Sequence, residues 1–386
     1  MHDIRIKYIA PVYDGSGYAE AARNYVVALH TAGVPVSVKP ISFERSIPNI
    51  GPMKDIIDSL VDIDGFDHNV TLVHATPENM PRLFSDFAGD SLKVGYSAWE
   101  TTKIPDRWIN LLNSADLNLV PCTMNSAVYS ECGVKTPIEV VPHCINAKVN
   151  LTPVNKEKIT ITDIDEAVAG KYVFYTVAQY NERKNIDSLL RAFWNAFDGI
   201  DGVALVVKTY PMSGYGPTSS EKLMSHLARV KAEASPKNPP EVHFIFDKLS
   251  SDDIVYLHQL GDCFVSLHRG EGFGMPILEA ACQGNAIVTT GFGGPSDFLD
   301  SQKAFFVDYT FEPVYGIAGV NDYNCSQFWA HPDVLDAITK MKHIYYNQAD
   351  VHKIAAGLRV DVAMNYTYAP VAKKMVEAIR KHMVKK

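Results

Sequence analysis

Cysteine is scarce and scattered: six residues among 386 (Cys122, Cys132, Cys144, Cys263, Cys282 and Cys325), with no CxxC pair. That is too few to staple a fold and offers neither zinc spacing nor a thiol redox motif. A reducing cytoplasm is the expected location. No apolar run reaches the ~18–20 residues a membrane span needs. The N-terminus, MHDIRIKYIAPVYDGSG, turns polar and glycine-rich after one short apolar stretch and so lacks the core of a signal peptide. Basic charge is not in excess either. Lys plus Arg (36) against Asp plus Glu (44) gives −8, which disfavours a globally basic nucleic-acid binder and leaves only a local basic groove open. There is no HExxH and no Cys–His cluster with zinc spacing. Asp62-x-Asp64 and Asp163-x-Asp165 imitate a metal-binding DxD, but neither follows a buried strand, and both read as turn or cap residues. No bound metal and no resident cofactor is expected.

What is present is an ordinary globular composition, 47% hydrophobic and 21% charged, in a chain long enough for two cores. Short β-branched runs alternate with amphipathic stretches. Ile4–Ala10, Val36–Pro40, Asn69–His74, Leu92–Ser97, Leu117–Val120 and Ile138–Val141 read as strands, with helices such as Tyr18–Ala32 and Thr123–Glu131 between them. The pattern breaks near Asn150 into a polar stretch and resumes with strands at Tyr172–Val177, Val203–Lys208, Val242–Phe246, Cys263–Ser266, Ala286–Thr289 and Ala304–Val307. Helices are expected there at Ile186–Ala196, Ser219–Ala234, Ser251–Leu260 and Pro276–Cys282. Parallel neighbours need helical crossovers, so the fold class is α/β with two doubly wound parallel sheets. Such sheets bind ligands at the carboxyl ends of their strands, and two facing each other would make a central cleft.

Beyond Phe311, the segment FEPVYGIAGVNDYNCSQFW has little period and reads as an irregular excursion, followed by helices to the end. The last helix, from Ala369, sets Met375, Ile379 and Met383 on one side and Lys373, Lys374, Arg380 and Lys381 on the others. That is a solvated face or, alternatively, a peripheral contact with an anionic surface. His143-Cys144 reads as interdomain packing, and Trp99, Trp108 and Trp194 as core.

The chemistry concentrates between Ser266 and Leu299, SLHRGEGFGMPILEAACQGNAIVTTGFGGPSDFL. A strand runs into the turn Gly270-Glu271-Gly272-Phe273-Gly274 and then into a helix with Pro276 in its first turn. Backbone amides of such a turn and a helix N-terminus can approach an anion closely. A carboxylate repels a phosphate, so Glu271 and Glu279 need another partner. Sugar hydroxyls fit, because a carboxylate accepts two hydroxyl hydrogen bonds at once. Taken singly, Glu271 reads equally as a solvated loop residue and Glu279 as a helix carboxylate favoured by the dipole.

EGFGMPILEA, an apolar strand and TTGFGGPSDF together resemble the E-x7-E signature of the retaining family-4 glycosyltransferases, which have the GT-B architecture of two Rossmann-like domains. Supporting segments are VYDGSGYAEAARNYVVAL, GYSAWETTKIP, VPCTMNSAVYSECGV to VVPHCIN, and VAQYNERKNIDSLLRAF, so the resemblance covers nearly the whole chain. It implies an acceptor-side domain over residues 1–150, a nucleotide-sugar-binding domain over 151–366, and a C-terminal helix over 367–386 packing back toward the first. It also implies transfer of a sugar from a UDP- or GDP-sugar to an acceptor hydroxyl with retained configuration and without metal. By the resemblance Glu271 holds the donor sugar and Glu279 the ribose, while Gly272, Phe273, Gly274 and Met275 line sugar and diphosphate. Lys184 matches the family's lysine. Gln179 stands where an arginine is usual, and Arg183 is the candidate replacement. Gly15 and Gly17 match the family's N-domain glycine turn, whose backbone approaches the donor diphosphate or the acceptor. His74 stands near the place of its active-site histidine, with Thr76 as an alternative register. Glu100 is a candidate to orient the acceptor, and the stretch to Leu249 to meet the base. Two other readings share the fold: a nucleotide-sugar epimerase or hydrolase, and a non-catalytic nucleotide-sugar-binding subunit. The acceptor is expected to be a glycan or glycoconjugate, and a modified nucleobase in DNA stays open.

Overall fold

The computed structural model describes residues 3–42, 50–51, 53–146, 150–155, 157, 159–210, 220–317 and 320–383. The chain divides into two compact units, Met1–Lys148 with Ala363–Lys386, and Val149–Val362.

The first unit alternates β1 (Ile6–Ala10), α1 (Gly17–Thr31), β2 (Val36–Pro40), α2 (Met53–Leu60), β3 (Val70–His74), α3 (Met80–Phe87), β4 (Leu92–Tyr96), α4 (Asp106–Leu112), β5 (Leu117–Val120), α5 (Thr123–Glu131) and β6 (Ile138–Val140). All six strands are parallel, in the order β2-β1-β3-β4-β5-β6. Local chemistry sets the limits of α1. Ser16 caps its start by accepting from the Ala19 amide at 3.2 Å, and Gly33, at φ 75°, turns the chain out of its end.

The second unit contains α6 (Asp163–Ala167), β7 (Tyr172–Val177), α7 (Ile186–Phe197), β8 (Val203–Lys208), α8 (Ser220–Ala234), β9 (Glu241–Ile245), α9 (Ser251–Leu260), β10 (Cys263–Ser266), α10 (Met275–Gln283), β11 (Ala286–Thr290), α11 (Pro295–Phe298) and β12 (Phe305–Val307). Its sheet runs β12-β11-β10-β7-β8-β9, again all parallel. Ser219, the expected first residue of α8, lies outside the described residues. The strands are near-continuous apolar runs, as sheets covered on both faces require, and β8 is buried along its whole length.

One expectation is corrected. The segment after β12 is not irregular throughout: β13 (Tyr309–Pro313) and β14 (Phe328–Pro332) pair antiparallel. Backbone pairing forms this ribbon, and its exposed aromatic side chains mask the period that would have announced it. Helices α12 (Val334–Tyr346) and α13 (Gln348–Asn365) follow, and α14 (Tyr368–Met383) completes the first unit. Val371, Met375 and Ile379 of α14 are buried in that unit's core with Tyr25, Val26 and Leu29 of α1. The apolar stripe is therefore spent on the core. Arg380 pairs with Asp3 at 2.8 Å and Lys381 with Glu139 at 2.6 Å. No described helix is long and apolar enough to cross a membrane.

His143 and Cys144 are likewise accounted for inside the first unit. His143 Nδ1 lies 3.2 Å from the hydroxyls of both Tyr25 and Tyr96, and Cys144 belongs to the same core.

Candidate active site

In the second sheet the chain winds from β7 outward through β8 to β9, then returns to place β10 on the other side of β7. The crevice at such a reversal is where open α/β sheets bind ligands. The loops leaving β7 and β10 flank it, and they carry Arg183, Lys184 and Glu271.

The two loops are fastened to each other. Asn185, at φ 52°, donates from Nδ2 to Leu267 O at 3.0 Å, and the Arg269 amide donates to Arg183 O at 2.7 Å. Arg183 Nη1 donates to Gly270 O at 2.7 Å and lies 3.3 Å from Glu271 Oε2, while Lys184 Nζ pairs with Glu271 Oε1. The side chains of both cations are 15% exposed and that of Glu271 is 9% exposed. Burial alone would raise the Glu271 carboxyl; the charges of Lys184 and Arg183 outweigh it and hold the group at about 2. Counted over these three, two positive charges face one negative.

The turn that carries Glu271 rests on the second glycine-rich bend. Gly294 donates its amide to Glu271 O at 2.8 Å. A Cβ on Gly293 would lie 2.5 Å from Glu271 O, and one on Gly294 the same 2.5 Å from Gly272 O. Only glycines allow this approach. Gly274, at φ 93°, turns the chain into α10, where the Ile277 and Leu278 amides close on Gly274 O at 3.0 and 3.1 Å. Phe273 is buried against Phe298, with ring centroids 5.1 Å apart. Gly272, Phe273, Gly274 and Met275 thus form the backbone edge between Glu271 and the helix.

Glu279 lies further along α10. Its Oε2 is 3.5 Å from His258 Nε2, and its side chain is 19% exposed. Gln179 sits half-buried in the β7 loop, and Leu249 half-buried in the loop after β9, one residue before Ser250, which caps α9. All these segments share the carboxyl end of one sheet.

In the first unit the strand order reverses between β1 and β3. Gly15 and Gly17 bracket the cap of α1 at the end of the β1 loop, and His74 ends β3. His74 is buried, with Nδ1 2.8 Å from the Tyr8 hydroxyl and its ring packed on Tyr18, Tyr25 and Tyr96. Burial first, and the neighbouring His143 second, push it well below the ordinary histidine range, so it is a neutral imidazole. Glu100 is half-buried in the loop after β4. That loop is held by Asn125, whose Oδ1 accepts from the Trp99 amide at 2.9 Å and whose Nδ2 donates to Trp99 O at 2.7 Å. Of the two Asp-x-Asp pairs, Asp165 accepts from the Tyr256 hydroxyl at 2.5 Å and Asp62 pairs with Lys39 at 3.0 Å. Among the described residues no cluster of His, Cys, Asp and Glu has the makings of a metal site.

Three residues of the second unit escaped the sequence reading. His268, three positions before Glu271, is fully buried, and neither ring nitrogen has a hydrogen-bond partner. Burial pushes it down to about 3, with Glu271 opposing and Lys184 and Arg183 adding to the shift. Lys208, at the end of β8, is buried with Nζ 5.2 Å over the Tyr210 ring, and burial lowers it as well. Arg269 pairs with Glu312 and accepts at its carbonyl from the Ala330 amide at 2.8 Å, which ties the β13–β14 ribbon to the Glu271 loop. Histidine and arginine inside SLHRGEGFG were the available signal.

The two parallel, doubly wound six-stranded sheets give the chain the GT-B fold. Within it, residues 158–312 match the family of glycosyl transferases group 1. The whole chain is similar in fold to the Anabaena protein Alr3699/HepE solved in complex with UDP and glucose, with a TM-score of 0.71 at 12% identity over 98% of this chain and 100% of that one. It is also similar to sucrose-phosphate synthase from Thermosynechococcus elongatus (TM-score 0.68, 13% identity, 99% and 100% covered). A glycosyltransferase from Rickettsia africae gives a TM-score of 0.67 at 13% identity, with 98% of each chain covered. No curated protein matches the sequence.

Proposed function

We propose that the protein is a retaining glycosyltransferase that moves a sugar from a UDP- or GDP-sugar to an acceptor hydroxyl. The observation that carries this reading is the meeting of Lys184, Arg183 and Glu271 at the strand-order reversal of the second sheet. The match of residues 158–312 to the glycosyl transferases group 1 supports it.

The donor diphosphate takes over Lys184 and Arg183, which neutralise the charge that grows on it as it leaves. Glu271, released from the two cations, accepts hydrogen bonds from donor sugar hydroxyls beside the anomeric carbon. Glu279 takes the ribose hydroxyls, and the backbone of Gly272 to Met275 lines sugar and diphosphate, with Gln179 and Leu249 at the edges of the nucleotide. Gly15 and Gly17 let the backbone approach the diphosphate or the acceptor, Glu100 orients the acceptor hydroxyl, and the neutral His74 takes the place of the family's active-site histidine. The bond from the anomeric carbon to the phosphate oxygen breaks, and the bond to the acceptor oxygen forms on the same face. The departing phosphate takes the acceptor's proton. Catalysis is then positioning plus electrostatics, with no protein nucleophile.

A subunit without activity is the reading that fits an absent family arginine, and Arg183 bears on it. Its Nη1 lies 3.3 Å from Glu271 Oε2, which supports Arg183 as the second cation. The test is incubation with UDP- and GDP-sugars and mixed glycan acceptors, reading nucleoside diphosphate release and the anomeric configuration of the product. Acceptor-dependent release with retained configuration is expected, and Lys184→Ala should lower kcat by about 10²–10³-fold. Release without acceptor would favour a hydrolase, and inverted product would refute the retaining assignment.

A further inference from the structure

Glu279 is backed by a chain of buried polar groups. His258, from α9, is fully buried, and its Nε2 lies 3.5 Å from Glu279 Oε2. Its other nitrogen, Nδ1, is 2.8 Å from the Tyr175 hydroxyl. The direction of that bond follows from Asn285. The Asn285 Nδ2 group donates to His258 O at 2.7 Å and to the Tyr175 oxygen at 2.6 Å. A carbonyl oxygen only accepts, so the amide nitrogen must occupy that position. With Asn285 donating to it, the Tyr175 hydroxyl spends its own proton on His258 Nδ1, which is therefore an acceptor. The imidazole proton then resides on Nε2, on the side of Glu279. With the Asn285 and Tyr175 protons so placed, one tautomer of His258 remains.

The network also has a built-in space. A Cβ on Gly261 would collide with the Tyr175 ring, so glycine at the end of α9 is what lets Tyr175 lie beneath His258. The two rings meet edge to face, with centroids 5.5 Å apart. His258 Nε2 makes no hydrogen bond of good geometry, and a buried N–H left in that state costs about 1–3 kcal/mol. The acceptor that can satisfy it is the Glu279 carboxylate, a small displacement away.

We propose that His258 is a positioning residue for Glu279. Its Nε2–H draws in Oε2 and fixes the plane of the carboxylate so that Oε1 is presented to the vicinal hydroxyls of the donor ribose. The enzyme thereby discriminates ribonucleotides from 2′-deoxyribonucleotides. This rests on the reading that Glu279 holds the ribose. It assigns a role to three residues, His258, Tyr175 and Asn285, that touch no substrate.

The experiment measures the affinities of UDP, GDP and their 2′-deoxy counterparts by calorimetry for the wild type, His258→Leu, His258→Gln and Glu279→Gln. The wild type should prefer the ribonucleotide by about tenfold or more, since a site built for a hydroxyl rejects the analogue lacking it. His258→Leu should lose most of that preference by weakening ribonucleotide binding alone, with KM for the donor raised and kcat at saturation little changed. His258→Gln, which restores an N–H, should recover part of it. If His258→Leu does not fold, Tyr175→Phe removes the tautomer lock and should lower the preference in the same way. Equal weakening of ribo- and deoxyribonucleotides, or an unchanged preference, overturns the positioning role. A wild type without preference, or a Glu279→Gln variant that keeps it, overturns the ribose reading of Glu279 and the inference with it.

Discussion

Glu271 is a carboxylate whose state is set by its neighbours. Buried as it is, it would be neutral at a higher pH than usual if alone, yet Lys184 and Arg183 hold it ionised down to about 2. The folded value lies below that of the unfolded chain. The stabilisation is therefore complete above about pH 4.5 and is lost as the pH falls from there through about 2. The shift corresponds to roughly 3 kcal/mol. Glu271→Gln should accordingly unfold more easily than the wild type at pH 7, by about 2–4 kcal/mol because two cations lose their partner. Urea denaturation followed on the second unit should show the difference shrinking between pH 4.5 and 2. An equal difference at both ends of that window would mean the ion pairs do not form.

At the scale of elements, the site is a turn laid on a turn. The Glu271 loop keeps its shape because the Phe292-Gly293-Gly294 bend approaches its backbone without side chains. Gly294→Ala would bring a methyl to 2.5 Å from Gly272 O. This should cost about 1–3 kcal/mol in overpacking and weaken nucleotide binding at the same time. Thermal melting with and without nucleotide separates the two effects, and a variant that loses stability but binds normally would show that the turn's shape is immaterial. Much of this was legible in sequence, since glycines, Pro276 and the strand–turn–helix order are local signals. The β13–β14 ribbon was not, because its pairing is decided by backbone partners rather than by a buried face. His258, Tyr175 and Asn285 were illegible for a similar reason: a polar residue in an apolar run announces nothing until its partner, up to 110 positions away, is known. His268 was readable as part of SLHRGEGFG, but its orphaned nitrogens were not.

At the scale of the molecule, the two βα series of the sequence became two parallel sheets, and the repeated strand–helix alternation made those two sheets readable. In the last helix the narrow stripe of Val371, Met375 and Ile379 is part of the first unit's core, and Lys373 and Lys374 stand on the solvated face. Met375→Ala should therefore destabilise that unit by about 2–5 kcal/mol, as deletion of a buried side chain does. Its effect is read as an early unfolding transition by calorimetry, while Lys374→Ala on the exposed side of α14 should leave the transition in place.

The proposed chemistry needs the second unit to bind a nucleotide-diphosphate sugar through Lys184, Arg183 and Glu271. Ligand that binds only the native state raises its stability by about 2.7 kcal/mol at a hundred times Kd. The decisive measurement is a thermal-shift screen of UDP-, GDP-, ADP- and dTDP-sugars against the wild type and Lys184→Ala. One nucleotide class should raise the wild-type melting temperature by several degrees, and Lys184→Ala should lose most of that rise. No shift with any nucleotide sugar, or a shift undiminished in Lys184→Ala, would contradict it.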